Sequence, residues 1–588
     1  MKNFLVLCVL LPLLANAQNP SFEWVRGFQI TGTNLNFSSI EDVAVDGEGN
    51  VISTGYFRGN NIDFDGFPSG VENANLSTGT VQSGFVQKMD ADGTFLWAYK
   101  IGSGSTVRVF TMDLDAAGNI YCAGYFLGTN DFDSGEGVAE LTSLEGADAF
   151  VLKLNADGTF AWVKQIGGSG GISVFCLALD GTEDITLTGV FGDTVDFDPG
   201  PGVSELTSIS YSDIFITKLD SDGNFVWAKQ IGSTVEGSGQ EEELEHAVDG
   251  EGNILITGWF YSTLDFDPGP EEFNLTNTGA PDLFVLKLSP DGNFVWVKQA
   301  SSSTTSGQVT GEGIDADAEN NVYISGTFSS YIDFNPGEGI TQLNGGNGDA
   351  FVLKLDANGE FVWVREIDGL YDIHSNGIAV AADGTSYSTG GFINTSDFDG
   401  GTGTFTLSSG SLNSRDAYVL KLDADGNFIW AGDMGSVGED YGTAIYLDND
   451  GNIACTGFYL DPGDSYPEMD FDPGPGEATI VSLAPVPAGL FVLKLNQDGL
   501  PLGNQFLETN SGIQVYPNPT SGQIRINLSH FTGTVVISVF EMTGKQVQMQ
   551  TLPAGSVVNW QLPEQNGLYL IQVRDSENKS YKSLVSRH

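Results

Sequence analysis

The sequence predicts an all-β chain: a seven-bladed β-propeller followed by a small Ig-like β-sandwich. Three observations predict it. One strand-rich unit recurs along most of the 588 residues. Alternating apolar residues, β-branched content and Gly/Asp/Asn turns mark antiparallel strands, with no sustained helical period. At Ile513 the period stops, and short strands of different wording follow. A hydrophobic content of 40% with 11% aromatic supplies packed cores despite a net charge of −54, so disorder is excluded.

The unit reads the same way in each copy. A strand ending in a turn, such as VAVDGEGN at Val43, precedes an apolar strand with a glycine, such as NILITGWF at Asn253. A DFD corner and a polar "LTS" segment follow. Next comes FVLKL, in copies starting at Phe85, Phe150, Phe215, Phe284, Phe351, Tyr418 and Phe491. A DADG-like turn then leads into a strand like NFVWAKQIG, whose tryptophans are Trp24, Trp97, Trp162, Trp227, Trp296, Trp363 and Trp430. Their spacings of 73, 65, 65, 69, 67 and 67 residues define the repeat. A lone four-stranded meander cannot cover both its faces, whereas radial stacking of seven can. The first Trp strand, Phe22–Phe28, has no FVLKL before it, and the last FVLKL has no Trp strand after it. Each orphan is expected to complete the other, closing the ring and removing a sheet edge.

The N-terminus, MKNFLVLCVLLPLLANAQ, has a basic flank, an apolar stretch and an Ala15-Asn16-Ala17 cleavage site. Residues 1–17 are expected to be a secretory signal peptide. No later apolar run is long enough to span a membrane as a helix. The odd set Cys122, Cys176 and Cys455 argues against a disulfide framework and reads as buried small hydrophobes. Residues 18–511 carry a net −57 and residues 512–588 a net +2. Such an acidic surface repels phosphate backbones and excludes nucleic-acid binding.

Few residues offer chemistry. His246 and His374 are the propeller's histidines, and neither has a histidine neighbour in sequence, which leaves a zinc site or a His-based triad without support. DADGN turns have their glycine fourth rather than sixth, so they are hairpin turns and not EF-hand loops. They also fail the spacing of a sialidase Asp box. Twelve of the propeller's 16 basic residues sit at repeat positions, where they are expected to form surface pairs of small individual worth.

The corner is the strongest motif: Asp63/Asp65, Asp131/Asp133, Asp196/Asp198, Asp265/Asp267, Asp333 with Asn335, Asp397/Asp399 and Asp470/Asp472. On a strand, residues i and i+2 share a side, so both acids face one way and the Phe between them the other. One use is structural: Phe anchors the corner, Pro-Gly forces the turn and Asp accepts backbone N–H bonds. The other is calcium, which wants 6–8 oxygens and would need backbone or a neighbouring loop for the rest.

Two resemblances follow from these residues. The order GxAxDxxGNIYxTGxF…FVLKLDxxGxFxWxxxxG, over residues 20–507, resembles the SBBP repeat of secreted bacterial β-propellers. After a linker at 508–512, residues 513–588 resemble the type A sorting domain of the type IX secretion system of Bacteroidota. That match rests on Tyr516, Pro517, Asn518, Pro519 and Gly522 in VYPNPTSG, Gly544 in FEMTG, and Gly567 and Tyr569 in NGLYLIQV. The second resemblance implies passage through the periplasm, recognition of the tail by the type IX machinery, and release or attachment at the outer surface. The first implies a fold and little about activity.

The expected function is a non-catalytic binding or surface-display protein for a glycan or surface-protein ligand. A polysaccharide-degrading enzyme built on paired carboxylates and a calcium-stiffened structural protein are the alternatives. A site is expected near the channel mouth or the least regular stretches, Val235–Glu245, Leu370–Asn376 and Asp461–Met469.

Overall fold

The computed structural model describes residues 20–29, 38–60, 62–65, 75–233, 241–277, 279–302, 307–335, 337, 339–410, 414–435, 438–460, 468–474, 478–481 and 488–497, and in the tail 514–516, 523–528, 534–541, 546–553, 557–562, 567–574 and 580–587. The expected signal peptide and the 508–512 linker lie outside them. The chain divides into two compact units, Met1–Gln497 and Asp498–His588.

The first unit is a β-propeller arrangement of antiparallel meanders. In each, the VAVD strand is innermost, and the ITG, FVLKL and Trp strands follow outward. One example is Val107–Leu114, Ile120–Phe126, Asp148–Leu154 and Phe160–Gly168. Among the described residues five such meanders, not seven, stand as separate sheets. The expectation of seven separate blades is corrected here. The strands of the last two repeats run into one eight-stranded sheet, joined where Arg415 meets Glu439 in a parallel bridge.

The orphan strands do pair. Ser21–Gln29 runs antiparallel to Ala488–Asn496, from Ser21 opposite Asn496 to Gln29 opposite Gly489. Around this junction Ile40, Val43 and Phe85 from the start of the chain share one core with Ala454, Leu490 and Val492 from its end. Lys494 Nζ donates to the Gly49 carbonyl at 3.2 Å, and Thr443 Oγ1 to the Ile40 carbonyl at 3.0 Å. First and last repeats are therefore neighbours.

Each repeat has an aromatic trio at its centre. The corner Phe packs against the Phe of FVLKL (Tyr418 in the sixth repeat) and, edge-on, against the aromatic near the end of the ITG strand (Tyr459 in the seventh). In one repeat Phe197 lies 5.1 Å from Phe215 and 5.4 Å from Phe191. All three are buried, and the edge-to-face geometry adds to their large apolar burial.

Neighbouring repeats are joined by the Trp strand. Gly158 in a DADG-type turn has φ 82°, and a Cβ there would lie 2.8 Å from the Trp97 ring of the preceding repeat. Only glycine meets both demands. Trp24 Nε1 donates to the Ala91 carbonyl at 2.8 Å, and Trp363 Nε1 to that of Ala424 at 3.1 Å. The FVLKL lysines differ from the surface pairs the sequence suggests. Lys88 reaches Asp46 at 2.8 Å and Lys287 reaches Asp249 at 2.7 Å, with all four side chains buried. Removing one partner would strand the other charge. Cys122, Cys176 and Cys455 are free and buried, as their contexts suggest.

The second unit has a three-stranded sheet (Gln514–Tyr516, Gln523–Asn527, Val557–Gln561) and a four-stranded one (Thr534–Glu541, Gln546–Pro553, Gly567–Arg574, Ser580–Arg587). Ile524, Ile526, Val535, Ile537, Trp560 and Ile571 form its core. Alternation along each strand places these residues on inward faces.

Candidate functional site

The corners form a joint between repeats. Asp196 pairs across to Gly167 of the preceding repeat's Trp strand, and Asp265 likewise to Gly232. The first acid's Oδ1 accepts two backbone N–H groups. At Asp196 these come from Asp198 at 3.1 Å and Ser204 at 2.7 Å. Asp131, Asp265, Asp333, Asp397 and Asp470 repeat the pattern at i+2 and i+8, and Asp63 shows its first half, accepting from Asp65. The second acid closes the next turn. Asp133, Asp198, Asp267, Asp399 and Asp472 each accept the N–H of the glycine two residues on, and Asn335 does the same with its amide oxygen. A Cβ on Gly202 would overlap Asp198 Oδ2, which explains the second glycine of PGPG. Among the described residues no group of three or more His, Cys, Asp or Glu is placed to hold a metal ion. In the tail, Tyr516 ends one strand, and Gly567 and Tyr569 begin another. Pro517, Asn518, Pro519, Gly522 and Gly544 lie outside the described residues.

A second constellation was not singled out by the sequence. Every innermost strand carries a β-bulge: register shifts fall at 40/42, 109/111, 174/176, 242/245, 311/313, 375/377 and 442/444. A bulge re-aims one side chain and is common beside functional sites. Here the bulged residues line the central channel. Three of them are Glu41, Phe110 and Phe175; Leu244, Glu312, Asn376 and Thr443 complete the set. These positions vary while the strand around them repeats, so no motif flags them.

The channel opens into a cavity of about 760 Å³, whose rim adds Glu245, Asp372 and His374. A narrower one of about 200 Å³ shares six of these bulge residues, all but Leu244, and adds Asp42, Cys176 and His246. Two of the irregular stretches, 235–245 and 370–376, thus contribute to the mouth. Most of the third, 461–469, lies outside the described residues.

Burial dominates the electrostatics. The Glu245 carboxyl is pushed up to about 8, first by burial and then by Asp42. Burial raises Asp42 itself to about 7 against hydrogen bonds from the Met112 and Val43 N–H groups. Glu41 is raised by burial, opposed by the Ser39 and Tyr56 hydroxyls and by Arg108. His246 is 5% exposed, and burial lowers its imidazole to about 3, leaving it neutral. Its Nδ1 lies 2.7 Å from Thr188 Oγ1. At the rim, Asp372 Oδ2 meets His374 Nε2 at 2.7 Å and an Arg415 nitrogen at 3.0 Å. These two, the histidine bond first, hold Asp372 at about 2.

Comparison with known proteins bears on the tail most clearly. Residues 514–587 match the secretion system C-terminal sorting domain family. Over 499 residues, 72% of this chain, the sequence is 24% identical to an uncharacterized WD repeat-containing protein, L264, of Acanthamoeba polyphaga mimivirus. It is 24% identical over 215 residues, 34% of this chain, to the regulatory protein FlaEY of Caulobacter vibrioides. The matches cover 35% and 21% of those two proteins, so the chain spans only part of their length. A crystal structure of a chimera of ACO and RPE65 aligns over 80% of this chain and 95% of its own at 10% identity, but its TM-score of 0.34 carries no argument. No helix among the described residues is long and apolar enough to cross a membrane. The chain joins a β-propeller arrangement to a type IX sorting tail, which marks a secreted or cell-surface protein.

Proposed function

We propose that this is an SBBP-like propeller delivered through the periplasm and the type IX machinery, and that it works outside the cell as a non-catalytic binding module. The observation that carries this reading is the channel mouth. The repeats keep the same strands, trios and corners, yet place different side chains at the bulges around one cavity. The cavity is concave and mostly polar, with Phe110, Phe175 and Leu244 among its few apolar side chains, a lining that suits a polar ligand held by several convergent groups. The ligand is a glycan or a surface protein that presents a group small enough to enter the mouth.

A capture assay tests it. Purified chain is probed against glycan and surface-protein panels beside Thr443→Trp, which adds an indole among the bulge residues that line the cavity. Capture lost in that variant supports the reading. Capture by neither form, or equally by both, sinks it.

An enzymatic reading has one specific support, the Asp372–His374 pair at the mouth, which has the spacing of an oriented general base. Turnover of a polysaccharide by the full chain, abolished in His374→Ala, would establish it in place of binding.

A further inference from the structure

We propose that a groove between the second and third repeats extends the channel mouth into a subsite for a neutral oligosaccharide, with sugar rings stacked on Tyr211 and Tyr125 and their hydroxyls meeting Ser173, Ser212 and Asp193. This inference rests on the binding function proposed above and names the chemistry of its ligand.

The groove encloses about 550 Å³. Its walls come from the ends of two ITG strands, Ile120–Phe126 and Ile185–Phe191, and from the loops that lead into Asp148–Leu154 and Asp213–Leu219. Val190 and Ser212 line the mouth cavity as well, so the two spaces adjoin. Aromatic rings run along the same path. Phe175 lies 6.2 Å from Phe110, and Phe110 lies 5.8 Å from Tyr125. Two adjoining spaces suit a chain of sugars better than a single ring.

Tyr211 departs from the repeat. Two residues before the Asp that opens the FVLKL strand, the second, fourth and fifth repeats have Gly146, Ala280 and Asn347. The third has a tyrosine that is 81% exposed. Left outside the core on the wall of a groove, its ring offers an apolar face and a polar tip to a ligand.

The polar groups of the groove are uncommitted. The side-chain oxygens of Tyr125, Ser173, Asp193, Tyr211 and Ser212 form no hydrogen bond with another described residue. Hydroxyls donate and accept, and a carboxylate accepts, which matches the hydroxyl-rich edge of a sugar. No lysine, arginine or histidine lines the groove. A uronate or sulfated sugar would meet Asp193 and the net −57 of residues 18–511 with no counter-charge. A peptide adding itself as a strand would find backbone groups taken. The Gly192 N–H donates to the Gly171 carbonyl at 2.9 Å, and the Ile172 N–H to that of Ala147 at 3.0 Å.

The test titrates the full chain by calorimetry with the neutral hexasaccharides of cellulose, laminarin, starch and mannan, with glucose, and with hexagalacturonate. At least one neutral hexamer is expected to bind at a saturable site, about tenfold or more tighter than glucose. The uronate is expected not to bind. Tyr211→Ala is expected to weaken that hexamer about tenfold or more, while Tyr211→Trp, which keeps a stacking face, stays within about threefold. The control Tyr331→Ala removes another exposed tyrosine, far along the sequence at 49% exposure, and is expected to change binding less than about twofold. No neutral hexamer bound, equal binding of the uronate, or equal losses in Tyr211→Ala and Tyr331→Ala would each overturn the proposal. A hexamer lost in Thr443→Trp but kept in Tyr211→Ala would also overturn it and leave the mouth as the whole site. If every hexamer fails while Thr443→Trp abolishes capture of a surface protein, the sugar chemistry is wrong and the binding function stands.

Discussion

At the scale of single residues, the corner acids are turn acceptors before they are anything else. Asn335 stands naturally where the other corners have an acid, and it accepts the same glycine N–H at 2.9 Å. The oxygen matters there and the charge does not. Asp198→Asn should therefore leave stability within about 0.5 kcal/mol of wild type, while Asp198→Ala should cost about 0.5–1.5 kcal/mol by removing this exposed turn hydrogen bond. Denaturant melts of the two variants check this. Chelator should move the wild-type Tm by less than about 1 °C, since a bound ion that stabilised the fold would shift it by mass action. The pairing of two acids around one Phe was legible in the sequence. The acceptor partners at i+8 were not, because they depend on where the chain returns after the turn.

Among the elements, the Trp strands and the departures from the repeat say most. Gln165, Gln230 and Gln299 each donate to the Asp that opens the preceding FVLKL strand, at 2.6, 2.6 and 2.8 Å. At the fifth such position Glu366 replaces glutamine and faces Asp349. Its Oε1 is buried without a partner. Burial, then mutual repulsion with Asp349 and Asp368, pushes Glu366 up to about 7, and burial likewise lifts Asp349 to about 7. Both folded-state values lie above the unfolded ones near 4, so the folded chain holds extra protons between about pH 4 and 7 and loses stability as pH rises through that window. Glu366→Gln should raise the Tm by about 1–2 °C at pH 8 and hardly at pH 4. Scanning calorimetry at the two pH values reads the difference. Gly158→Ala, which meets both a positive φ and the Trp97 ring, should destabilise by about 1–3 kcal/mol.

Across the whole molecule, the repeat and the reciprocal orphan strands were legible because strand order and a fixed period constrain topology strongly. Closure through Ser21–Gln29 and Ala488–Asn496 appears as those orphans require. The number of separate sheets was not legible, because fusion of two meanders turns on one local contact, Arg415 with Glu439, that no period encodes. The channel site was hidden for a related reason: its residues are the ones that break the pattern, one per repeat, about 65–70 residues apart in sequence. Deleting residues 18–29 should leave Ala488–Asn496 an open edge. Amide exchange of that strand should then rise well above that of the FVLKL strand Asp282–Leu288, which keeps both neighbours.

If the variable bulge residues around the cavity form the binding site, an equilibrium binding panel of glycans and surface proteins reads it out. Wild type, Thr443→Trp and the outer control E136Q/E140Q are compared on the same ligands. At least one ligand is expected to bind wild type and control and to be weakened about 100-fold or more by the tryptophan. Binding that survives the tryptophan, or no ligand in the panel at all, would contradict it.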